Sequence, residues 1–86
     1  MEEKRYDIDV ERDVFKERGN NACARFADIV EKMGLTFEKD EDNPVMKKYN
    51  ELIRLVNDAY KLKTYEDIDA AEGKLTEIRE YCSGLQ

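Results

Sequence analysis

Carboxylates, arginines, tyrosines and two thiols are the groups in this chain that can do chemistry, because histidine is absent. Without imidazole, ordinary zinc sites and histidine-based proton transfer fall away. The densest acidic run is Glu38, Asp40, Glu41 and Asp42. A calcium loop needs oxygen ligands at set positions, a glycine at the sixth and a bidentate glutamate at the twelfth. Pro44 opens a helix two residues after Asp42 and breaks any such spacing. The run therefore reads as a hydrated acidic loop, and neither a metal nor another cofactor is expected.

Arg12, Arg18, Arg25 and Arg54 offer a second chemistry, since guanidinium forks match carboxylates. Projecting into a pocket between helices, they would make a small all-α enzyme or a dicarboxylate-binding protein. Arg18 and Arg25 fall at the edge of an apolar stripe, however, where arginine stems ordinarily cover a core. There is no phosphate-cradling glycine loop, no nucleophile elbow and no Cys/His pair. Three short helices seldom enclose a pocket of ~300 Å³. No catalytic residue is assigned, and the chain is read as non-enzymatic.

Cys23 and Cys82 are too few for a secreted disulfide scaffold, and no targeting segment precedes them, which points to the cytoplasm. With Cys82 near the end of the last helix, Cys23 falls about 15 Å down the first at 1.5 Å per residue. A disulfide tolerates Cα separations of about 4.4–6.8 Å. Both are expected to be reduced, small core residues.

Three helices must position these groups. Ile8, Phe15, Ala22 and Ile29 recur every seven residues, joined by Gly19, Cys23, Phe26, Val30 and Met33; Gly34 and Leu35 fit a Schellman stop. Gly19-Asn20-Asn21 are poor helix formers and a candidate kink. The small residues Gly19, Ala22, Cys23 and Ala27 leave a groove for Tyr49 or Tyr60. Asn43 and Pro44 open the second helix as N-cap and first residue. Its apolar face holds Val45, Tyr49, Leu52, Ile53, Val56, Ala59 and Tyr60. Leu55 and Leu62 widen that arc to roughly 200°, against ~100° for an ordinary surface helix. Thr64 caps the third helix, whose seam is Ile68, Ala71, Leu75, Ile78, Cys82 and Leu85. Gly84 is a candidate C-cap, and Gly73 lies on the outward face. Phe37 is expected beneath the bundle.

The first fourteen residues also alternate like a strand, but nothing later offers a partner strand. On a helix, Tyr6, Val10 and Val14 form an exposed apolar stripe, of the kind that makes contact surfaces. The expected fold is all-α, a small antiparallel three-helix bundle with helices near Asp9–Met33, Pro44–Lys61 and Tyr65–Ser83. Residues 1–86 make a single helical domain, with 1–8 as a flexible N-terminal extension.

Fifteen Lys+Arg against 21 Asp+Glu give a net charge of −6. That balance opposes direct nucleic-acid binding and attraction to anionic membranes. No apolar run is long enough to span a bilayer. The expected function is a non-catalytic protein-interaction or regulatory module. Its contact residues would be Tyr6, Val10, Val14, Leu55 and Leu62, gripping another protein or a second copy of itself as a homo-oligomer. The alternative is an acidic inhibitor of a basic nucleic-acid-binding protein, acting through Glu38, Asp40, Glu41 and Asp42.

Overall fold

The computed structural model describes residues 5–85. Three α-helices follow in order, α1 (Ile8–Lys32), α2 (Pro44–Asn57) and α3 (Tyr65–Gly84), with a 3₁₀ turn at Asp58–Lys61 between the last two. The fold is all-α, a small three-helix bundle. Gly19 of α1 meets Val56 of α2, and Phe26 of α1 meets Tyr49 of α2, so the two helices run antiparallel. Arg5 reaches Asp69 and Arg18 reaches Glu72, so α3 runs alongside α1 in the same direction.

Local chemistry sets the boundaries. Asn43 Oδ1 accepts from the Val45 N–H at 2.8 Å, and Pro44 occupies the first helical position, where its missing N–H costs nothing. Thr64 Oγ1 accepts from the Asp67 N–H at 3.1 Å while Asp67 Oδ2 accepts from the Lys63 N–H at 3.2 Å. Gly34 takes φ +72°, and the Gly34 and Leu35 N–H groups donate to the Glu31 and Val30 carbonyls. This is the Schellman pairing, and it ends α1. Gly84 does not act as a stop; it is the last residue of α3, and Leu85 is the cap. α1 is continuous through Gly19-Asn20-Asn21.

Phe15, Phe26, Met46, Leu52, Ile68 and Ile78 are fully buried in the core. A ladder of rings crosses the bundle: Phe37 stacks on Tyr49 at 5.6 Å, Tyr49 on Phe26 at 5.2 Å, and Phe26 on Tyr81 at 6.3 Å. Val56, and neither tyrosine, fills the space over Gly19. Tyr60 was expected in the core but is 62% exposed, because the helix tightens to 3₁₀ just before it. Phe37 caps the outer end of the ring ladder and stays 46% exposed instead of tucking beneath the bundle.

The molecule is a rod of 50 × 23 × 16 Å with a radius of gyration of 14.4 Å, against about 12 Å for a compact chain of this length. Its surface of 6374 Å² exceeds the ~5,300 Å² typical of this mass. The 25 residues of α1, about 37 Å at 1.5 Å each, account for much of the elongation.

Candidate interaction surface

The N-terminal approach to α1 is tied to the start of α3. Arg5 bridges two carboxylates, pairing with Glu11 of α1 and with Asp69 of α3 at 3.0 Å. Its guanidinium lies 4.5 Å from the centre of the Tyr65 ring, and the Tyr65 hydroxyl donates to the Tyr6 carbonyl at 2.8 Å. The Arg5 pKa is raised further by its hydrogen bonds to Glu11 and Asp69. Of the expected extension, Arg5 and Tyr6 are thus held by side-chain bonds and Asp7 by its carbonyl, which accepts from the Glu11 N–H at 3.0 Å, while residues 1–4 lie outside the described residues.

These ties anchor the Tyr6 backbone while its side chain stands out. Tyr6 is 73% exposed, Val10 44% and Val14 39%. Spacing of four places Val10 and Val14 on one stripe of α1; Tyr6 precedes the helix start and lies outside that periodicity. Arg12 points elsewhere. Its Nε donates to the Leu62 carbonyl at 2.9 Å and it pairs with Asp9 at 2.8 Å, pinning the end of the 3₁₀ turn to α1.

Leu55 and Leu62 are not part of that surface. Both are half-buried and pack against the bundle's own core. The wide apolar arc of α2 is taken up within the chain, by α1 on one side and α3 on the other. Of the four acidic loop residues, Asp40 is committed to its own loop. Its carboxylate accepts from the Thr36 N–H at 2.9 Å, and its N–H donates to the Thr36 carbonyl at 2.8 Å. Glu38 is exposed, while Glu41 and Asp42 line an open concavity of about 430 Å³ beside Phe37 and Met46. No cluster of potential metal ligands occurs among the described residues.

Cys23 and Cys82 are free thiols. Cys82 shares a cavity wall with Ala22 and Phe26, so it sits level with the middle of α1 and not with its end. The axial offset is thus smaller than expected. The two thiols have different neighbours: burial, with a smaller contribution from Cys23, raises the pKa of the α2 phenol Tyr49, while Arg25 acts on Cys82. Burial pushes both thiols above their ordinary range, and Arg25 offsets part of the rise at Cys82.

No helix among the described residues is long and apolar enough to cross a membrane. Comparison with known proteins finds no matching family model, no matching curated protein and no similar solved structure.

Proposed function

We propose that this chain is a non-catalytic protein-interaction module that docks on another protein through Tyr6, Val10 and Val14. The observation that carries the reading is the exposure of three large apolar side chains around the start of α1. The Tyr6 backbone beside them is held by the Tyr65 hydrogen bond, and the neighbouring Arg5 by ion pairs. An anchored apolar patch meets a partner with little ordering cost, and tyrosine is a frequent anchor in such contacts. Three side chains alone fall short of the ~800 Å² per partner that a stable pair buries. That favours a larger partner, reaching beyond the stripe, over a second copy of this chain.

The test is capture from a lysate of source cells with the full chain and with Val10→Glu/Val14→Glu as baits, eluted in rising salt. A partner retained through high salt by the parent chain and lost by the double variant is the expected result. Identical retained proteins on both baits would overturn the reading. Release at moderate salt, unchanged in the double variant but lost with Glu38→Gln/Glu41→Gln/Asp42→Asn, would put the acidic-inhibitor reading in its place.

A further inference from the structure

Acidic residues outnumber basic ones, 21 to 15, so any arginine in this chain has carboxylates to spare. Arg5, Arg12 and Arg18 each take at least one. Arg25, Arg54 and Arg79 do not; among the described residues none of the three forms an ion pair. What sets Arg25 and Arg79 apart is that both line the same three concavities between α1 and α3. One is about 340 Å³ and adds Ser83, Thr76 and Glu80 to its walls; another is about 180 Å³ and adds Asn21 and Arg18. The third is a narrow cleft floored by Ala22, Phe26, Ile78 and Cys82.

Two like charges lining the same concavities repel one another, modestly because both arginines are exposed to solvent. The Thr76 hydroxyl already donates to the Glu72 carbonyl, and Arg18 is matched by Glu72 at 3.4 Å. That leaves Arg25, Arg79, the Asn21 amide and the Ser83 hydroxyl as the groove's uncommitted donors. An oxyanion between the guanidinium groups converts the repulsion into charge-assisted hydrogen bonds, the strongest class available to arginine. We infer that Arg25 and Arg79 form an oxyanion-binding site between α1 and α3, taking a phosphate or a carboxylate group, with Ser83 as a further donor in the larger concavity and Asn21 in the smaller. Glu80 also lines the larger concavity and opposes an anion there.

The site is independent of the α1 stripe and is tested apart from it. Backbone amide spectra of the purified full chain are recorded with inorganic phosphate, citrate or hexaglutamate, each against sodium chloride at equal ionic strength. Saturable shifts at Asn21, Arg79 and Ser83 are expected with at least one probe. Affinity should fall about tenfold or more in Arg25→Gln and in Arg79→Gln, the loss expected for one charged hydrogen-bonding partner. It should hold in Arg54→Gln, an exposed arginine on α2. Saturation with phosphate alone assigns a phosphate ligand, and saturation with citrate or the peptide assigns carboxylates. Shifts that rise linearly with all three probes, or that persist unchanged in both glutamine variants, would overturn the site.

Discussion

Two glycines illustrate how much a single residue's surroundings decide. A Cβ on Gly19 would stand 2.5 Å from the Val56 Cγ2 methyl, whereas one on Gly73 would meet nothing within 4 Å. Alanine gains helix propensity at either position, about 0.5–1 kcal/mol. At Gly73 that gain stands alone, so Gly73→Ala should stabilise by about that amount in urea unfolding. At Gly19 the β-branched Val56 has little rotamer freedom to yield, and overpacking costs about 1–3 kcal/mol. Gly19→Ala should therefore destabilise, and Val56→Ala in the same chain should relieve the clash and recover part of the loss. A stabilising Gly19→Ala would show that the α1–α2 contact is looser than described. Periodicity already separates the two sites, Gly19 on the apolar side and Gly73 facing outward, but that Val56 is what crowds Gly19 depends on how α2 packs. Nothing in the structure explains why glycine stands at position 73.

Helix starts and stops were legible because they depend on neighbours in sequence: Asn43-Pro44, Thr64 and Gly34 each act within a few residues of themselves. Beyond Asn57 the helical end at Lys61 and the inward Ala59 follow from the pattern, but the direction of Tyr60 does not. Periodicity at 100° per residue was carried through a segment that turns 3₁₀, where residues three apart align instead. Under that tighter winding Ala59 is buried and Leu62 packs on the core, while Tyr60 turns outward. Leu55 was misplaced for another reason. A wide apolar arc says that a helix has several neighbours but not whether they belong to the same chain. With Leu55 packed against the core, Leu55→Glu should cost about 2–4 kcal/mol, the range for forcing a charge against apolar packing. Val14→Glu, on an exposed position, should stay within about 0.5 kcal/mol. Urea unfolding of the two variants separates these cases. Equal losses would mean that Val14 belongs to the core and not to a surface.

At the scale of the whole molecule, a thin acidic rod has a large surface and little interior. Burying less than a compact chain of its mass, it offers faces more readily than enclosed pockets. Two faces stand out: the apolar patch of Tyr6, Val10 and Val14, and the arginine groove further along the same pair of helices. The chain as a whole carries a net charge of −6, ordinary for keeping a small domain dispersed. The central claim is that the apolar patch is where another protein sits. A photo-crosslinking amino acid placed in turn at Val10, at Val14 and at the exposed α3 position Glu77 tests it in the source cell, with irradiated extracts resolved by mass. The account predicts a discrete heavier adduct from the probes at Val10 and Val14 and none from the probe at Glu77. Adducts of equal yield from all three positions, or none from Val14, would contradict it.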